Sequence, residues 1–244
     1  NLYSLTNDQW IWIGVLGAVT CVDWAFYFLA IKNSYLEAFA PYEAACVLFS
    51  SNLIFSIFMF NSVTNNGAPL NSALFFIGLA CLLVGMIFIL KNKKINPSSK
   101  KLWVLYATVS AIAMGFTLLI VKTKLSEVPS DIISFHQMTI VLVLNLVLLL
   151  VGKEKYEVKN IKWKDVLFFF IGACFNALLM VFRYKALSYA NAITSIVNVI
   201  ISLDFVLVSV ATVLFFKANN KKELVILILI VVSGMVLNVV SGLV

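Results

Sequence analysis

The sequence predicts an all-α integral membrane protein, and three observations predict it. Of 244 residues, 62% are hydrophobic and 12% charged, with a mean hydropathy of +1.03; soluble domains carry about 25% charge. The apolar residues are gathered into eight runs, each near or above the roughly 20 residues a helix needs to cross a hydrocarbon core of about 30 Å. The 18 Lys and Arg fall mostly in the short gaps between runs. A spanning segment must satisfy its backbone polar groups internally, and these runs are too long for tilted barrel strands, so each is predicted to be a helix.

In order, the runs are 10–31, 39–60, 70–90, 102–121, 131–152, 163–183, 187–216 and 224–244. Ala44 to Leu90 carries no charge, but Asn61-Ser-Val-Thr-Asn-Asn-Gly-Ala-Pro69 is a turn signal that cuts it in two. The run 187–216 is longer than a span needs, which predicts an irregular or tilted start around Tyr189–Ile193. No basic stretch precedes the first run, so it does not read as a signal peptide. Trp10, Trp12, Trp103 and Trp163 stand at run ends, where interfacial anchors are expected.

The loop charges predict orientation. Gaps 32–38, 91–101, 153–165 and 217–223 hold 14 Lys and Arg, and the alternate gaps hold four: Lys122, Lys124, Arg183 and Lys185. Positive loops stay cytoplasmic, which puts both ends of the given chain outside. The net charge of +7 is accounted for in this way, with no basic stripe or aromatic interleaving for nucleic acid. Cys21, Cys46, Cys81 and Cys174 match no metal or redox spacing and read as small buried hydrophobes.

An internal repeat is visible at an offset of 156 residues. Phe26 to Ile31 aligns with Phe182 to Leu187, and the same offset pairs Phe49 with Phe205, Phe60 with Phe216 and Gly78 with Gly234. The first three runs fall on the last three. The second copy has two further helices, 102–121 and 131–152, whose counterparts would precede residue 1. The expected whole is ten helices, five twice over, with eight visible here. Five is odd, so the copies insert in opposite orientation, as in many secondary transporters. The expected division is 1–90 for a first repeat lacking two helices, 91–101 for a cytoplasmic linker, and 102–244 for a complete second repeat.

Ionisable and amide groups inside the runs are the candidate functional residues, because a charge at mid-bilayer costs at least about 2.5–3.5 kcal/mol on insertion scales. Asp23 shares a helical stripe with Thr20 and Tyr27. Asp204 lies mid-run, beside a stripe of Asn191, Ser195, Asn198, Ser202, Ser209 and Thr212. That stripe fits a hydrated pathway or interhelical hydrogen bonding, and the pattern leaves both open. His136, the only histidine, is one turn into its run. Arg183, the only arginine, ends a run, with Asn176 two turns earlier on the same face; snorkelling to the interface is the simpler reading of Arg183. Glu43 suits a helix start. The expected solute-lining set is Asp23, Tyr27, His136, Asn176, Asn198 and Asp204. No catalytic motif is present, one histidine cannot build a multi-histidine metal site, and no cofactor is implied.

With five-plus-five helices and Tyr184-Lys-Ala-Leu-Ser-Tyr-Ala-Asn-Ala-Ile-Thr-Ser195 leading into the long polar-flecked run, the chain resembles the EamA-like branch of the drug/metabolite transporter superfamily. The resemblance extends to Ala30-Ile-Lys-Asn-Ser34 in the first copy. It departs at Leu203, where the family often has Pro, and at Phe60-Asn61 and Phe216-Lys217, where it often has Gly-Glu. It implies a secondary carrier, an exporter of small organic metabolites such as amino acids, acting as monomer or homodimer in a cell membrane. The simple loops and the Lys-, Asn- and Ile-rich usage fit a bacterial cytoplasmic membrane. The competing readings are a membrane-embedded enzyme acting on lipid-linked substrates and a non-transporting subunit of a membrane complex. The acids and the histidine lie at different depths rather than at one interface, which favours the carrier.

Overall fold

The computed structural model describes residues 5–34, 36–58, 72–92, 102–151, 162–188 and 221–241. These residues form seven helices: α1 (Asn7–Lys32), α2 (Leu36–Phe58), α3 (Ser72–Lys91), α4 (Leu102–Lys124), α5 (Ser130–Val151), α6 (Trp163–Ser188) and α7 (Lys221–Ser241). Each contains a segment long and apolar enough to cross a membrane, and no strand occurs among the described residues.

Local chemistry sets the ends. α1 starts three residues before its apolar run because Thr6 and Gln9 close a capping box. The Thr6 N–H donates to Gln9 Oε1 (2.9 Å), and the Gln9 N–H donates to Thr6 Oγ1 (3.2 Å). α1 and α4 end on Lys32 and on Lys122 and Lys124, as the negative end of a helix dipole favours. α2 includes Pro41 near its start, where a missing N–H costs one early backbone bond.

Seven of the eight expected runs are thus helices. The exception is 187–216, whose first two residues complete α6 and whose remainder lies outside the described residues. The apolar run stops at Arg183, but the helix continues to Ser188, since Tyr184 and Leu187 are buried and keep the turn packed. The turn signal at 61–69 also lies outside the described residues.

The chain divides into two compact units, Asn1–Cys21 with Ile120–Tyr189, and Val22–Leu119 with Ala190–Val244. In the first unit α5 packs on α6. The start of α1 meets α5 so closely that a Cβ added at Gly17 would lie 2.6 Å from Ile140 Cγ2. The Lys122 ammonium donates to the Leu187 carbonyl (3.0 Å), so it caps the last turn of α6 and does more than mark topology. Lys124 lies over the Trp12 ring at 5.1 Å. The outer surface of α6 is apolar, with Phe170, Phe175, Leu178 and Phe182 exposed. In water that surface would be a liability; against lipid it is the expected one. Cys174 lies on it and is exposed, unlike the buried Cys21 and Cys46, because a thiol is apolar enough to face hydrocarbon.

In the second unit α3 packs along α7, and α2 packs on both. Gly85 of α3 faces Leu227, Ile230 and Val231, and Gly78 faces Gly234 and Asn238. As numbering climbs along α3 it falls along α7, so the pair is antiparallel. A Cβ at Gly78 would lie 3.1 Å from the Gly234 carbonyl oxygen, and one at Gly234 would lie 3.1 Å from that of Gly78. Only glycine lets the two backbones come this near, as in small-residue crossings of membrane helices. α4 joins α2 through Trp103, which is fully buried with its ring edge-to-face on Tyr42 (5.2 Å). Trp103 is therefore not an interfacial anchor: it stands at a helix end, but on the face turned to α2. Trp10 and Trp163 are exposed, as anchors should be.

Candidate functional site

The second unit buries two carboxylates. Asp23 of α1 is 7% exposed and Glu43 of α2 is 4% exposed. Only three residues separate α1 from α2, so the two run antiparallel. They meet at Tyr27 and Phe39, whose rings lie edge-to-face at 5.3 Å. One helical turn from that contact, back along α1 and forward along α2, are Asp23 and Glu43. Helical spacing thus sets both acids at one level, on the two surfaces that face each other.

Ser110 of α4 donates to Asp23 Oδ1 at 2.6 Å, which fixes the carboxylate. A turn away Phe26 packs on Tyr106 (5.8 Å between ring centres), so α1 runs antiparallel to α4 as well. On the α2 side Thr108 gives its hydroxyl proton to the Val104 carbonyl (2.8 Å) and so accepts from Tyr42 (3.0 Å). Ser50 divides its proton between the Val47 and Ala111 carbonyls, at 3.2 and 3.0 Å. The Trp103 indole N–H is buried with no acceptor among the described residues. The result is an apolar three-helix wall holding two acids, with hydroxyls already committed around them. Such a wall suits a cationic or proton-exchanging group. Among the described residues no group of His, Cys, Asp and Glu could hold a metal ion.

The first unit carries a different arrangement. Tyr184 of α6 donates to Gln137 Oε1 (2.7 Å), Gln137 of α5 donates to Thr20 Oγ1 (2.6 Å), and Thr20 of α1 donates to the Leu16 carbonyl (2.8 Å). All three side chains are almost fully buried. The chain of three bonds ties three helices together.

Of the residues expected to line a site, Asp23 and Tyr27 come together on α1, Asp23 buried and Tyr27 half-buried. His136 packs edge-on against Trp10 at 4.7 Å and is half-buried, while its neighbour Gln137 is the group drawn into the unit. Asn176 is half-buried, just past the exposed stretch 171–175. Asn198 and Asp204, with the polar stripe around them, lie outside the described residues. Arg183 is buried rather than snorkelling, since it faces inward beside Tyr184. Glu43, Ser110, Gln137 and Asn52 were not singled out by sequence as site residues. For Glu43 and Gln137 the signal existed, a charged or amide group in an apolar run; for Ser110 and Asn52 it did not, since single small polar residues are ordinary in such helices.

Seven candidate spans with large apolar side chains on their exposed faces define a multi-pass membrane protein. The family model of the EamA-like transporter family matches residues 101–240, more than half of the chain, and the protein belongs to that family. It is a membrane transporter, and the family is non-enzymatic, which sets aside the lipid-modifying enzyme. No curated protein matches the chain at a significant level.

Proposed function

We propose that the protein is a secondary carrier, an exporter of small organic solutes such as amino acids, working by alternating access between two inverted five-helix repeats. Residues 1–90 belong to the first repeat and 102–244 to the second, with 91–101 between them. The observation that carries the proposal is the pair of buried carboxylates, Asp23 held by Ser110 and one turn from Tyr27 on α1, and Glu43 one turn from Phe39 on α2, with Tyr27 and Phe39 in ring contact. They recognise the solute's ammonium group, or exchange a proton for it. Tyr27 offers an aromatic wall, and His136, Asn176, Asn198 and Asp204 complete the lining along the pathway. A cell membrane, cytoplasmic in a bacterium, is the expected location, with a monomer or homodimer as the working form.

The inverted repeat draws support from the α3–α7 pair. Gly78 and Gly234 are equivalent at the 156-residue offset, and so are Leu82 and Asn238. A Cβ at Gly78 would meet Asn238 (2.6 Å to Nδ2), and a Cβ at Gly234 would meet Leu82 (3.0 Å to Cγ). Each residue meets the equivalent of the one that meets its own counterpart, which is the signature of a two-fold axis. Because the helices are antiparallel, that axis lies across them, as it does between inverted repeats in a membrane.

The test is metabolite profiling of cells expressing the carrier or Asp23→Asn at matched abundance. Wild type should redistribute an amine-bearing solute across the membrane, and the variant should lose at least tenfold of that flux. Equal flux from both, with unchanged pH dependence, would sink the assignment of Asp23.

A further inference from the structure

The serine and threonine hydroxyls around the two acids are committed within the fold, and the Trp103 indole N–H is not. Ser110 donates to Asp23, Thr108 to the Val104 carbonyl, and Ser50 to the Val47 and Ala111 carbonyls. Trp103 is fully buried, yet its Nε1 has no acceptor among the described residues. An indole nitrogen can only donate, and a buried donor left unmade is costly. Phenylalanine would keep an aromatic contact on Tyr42 without that cost. Tyr42 shows where the donor sits. Its ring packs on Trp103 (5.2 Å) and its hydroxyl reaches Thr108 (3.0 Å), so α2 runs beside this stretch of α4, and Glu43 follows Tyr42 directly. Trp103, Ala107 and Ser110 share one face of α4 at helical spacing, all three buried, and Ser110 holds Asp23. The seven residues from Trp103 to Ser110 span about 10 Å along the axis. On antiparallel α1, Ala30 is seven residues past Asp23 and so comes level with Trp103; it too is fully buried.

We propose that the Trp103 indole N–H is a second recognition point of the carrier, donating to an acceptor oxygen of a solute whose ammonium group lies at the acids. The inference rests on the amine-carrier reading above. Trp103 stands in the first turn of α4, where the positive end of the helix dipole favours negative charge, so a carboxylate oxygen suits it better than a neutral carbonyl. Recognition then has two poles within the second unit: carboxylates for the ammonium group, and an indole N–H for the oxygen. An amine without the oxygen fills the site and leaves the indole unpaired, and a site built to hydrogen-bond its solute rejects analogues for that reason. The substrate class is an amine that carries an acceptor oxygen, an amino acid before a simple alkylamine.

The experiment uses the full-length protein in proteoliposomes and measures counterflow of leucine, leucinamide and isoamylamine. The three share a side chain and an ammonium group and differ in carrying a carboxylate, a neutral carbonyl or no oxygen. Trp103→Phe should lower the ratio of leucine to isoamylamine flux by about tenfold, as loss of a hydrogen bond to a charged group does. Benzothienylalanine at the same position, which puts sulfur in place of the N–H in a ring of the same shape, should lower the ratio equally and preserves the packing that the smaller phenyl ring reduces. A fall for leucine alone assigns the contact to a carboxylate, and an equal fall for leucinamide assigns it to any acceptor oxygen. A ratio unchanged in both variants overturns the role of Trp103. So does an equal loss of all three fluxes, since a merely structural indole sets stability and leaves selectivity alone. Asp23→Asn should slow all three solutes alike; if it slows none, the amine-carrier reading itself fails, a different result from either.

Discussion

Adding one methyl group at Gly78 tests the closest contact between α3 and α7. A Cβ there would lie 2.6 Å from Asn238 Nδ2, nearer than real Cβ atoms come, and 3.1 Å from its Cγ. Asn238 must move, and it is held by the Gly234 carbonyl and by Asn52. Overpacking of this kind costs about 1–3 kcal/mol. Losing an interhelical hydrogen bond adds about 0.6–1.7 kcal/mol. Gly78→Ala should therefore lower the free energy of unfolding in bicelles by about 2–5 kcal/mol. Gly14 is the control, since a Cβ there meets nothing within 4 Å. Gly14→Ala should be neutral or stabilising by up to about 1 kcal/mol through helix propensity. The decisive variant is Gly78→Ala with Asn238→Ala. Trimming Asn238 removes the Nδ2 and Cγ obstruction and leaves the Gly234 carbonyl oxygen at 3.1 Å, so adding Gly78→Ala to Asn238→Ala should cost much less than Gly78→Ala alone, a clear departure from additivity. If Gly78→Ala behaves like Gly14→Ala, or if the two changes simply add, the close antiparallel crossing is wrong.

Two further substitutions probe the first unit. Tyr184→Phe removes the donor to Gln137 Oε1 and leaves that oxygen buried, so it should cost about 1–3 kcal/mol of unfolding free energy; an unchanged value would mean the Tyr184–Gln137–Thr20 chain is not a tie. Lys122→Met uncaps the Leu187 carbonyl, at a cost of about 0.3–1 kcal/mol, and should speed amide hydrogen exchange in the last turn of α6, with Lys122→Arg restoring protection.

The helices were legible because a bilayer allows one simple rule of length and apolarity, and α3, α4 and α5 start and stop within a few residues of their runs. Where the rule misjudged an end, side-chain chemistry intervened: the Thr6–Gln9 capping box lengthens α1, and buried Tyr184 and Leu187 carry α6 beyond Arg183. Asp23 could be singled out because an acid in an apolar run is costly wherever it points. Its partner Ser110 could not, since the pairing depends on the crossing of α1 with α4, and the depth of Trp103 depends in the same way on the packing of α4 against α2. Periodicity along one helix gives a residue's face; which helix that face meets is a property of the fold.

Which buried polar groups belong to transport and which to the scaffold can be argued from their hydrogen bonding. Thr20, Gln137 and Tyr184 form a chain in which every donor drawn has its acceptor, and Asn238 likewise spends its amide on Gly234 while its oxygen receives Asn52. Neutral groups satisfied in this way are inexpensive in a membrane and return a modest gain in helix association. Carboxylates follow a different account. Each costs at least about 2.5–3.5 kcal/mol to insert at mid-bilayer, while an interhelical hydrogen bond averages about 0.6 kcal/mol, so one bond like that of Ser110 does not offset it. Asparagine in place of Asp23 would keep an acceptor for Ser110 and avoid the charge. On the transport reading proposed above, the acid binds an ammonium group or moves a proton, which a neutral side chain cannot do. That asymmetry separates Asp23 and Glu43 from every neutral polar group described, and it is why Asp23→Asn, a change of one ionisable oxygen, is the substitution on which the transport assignment turns.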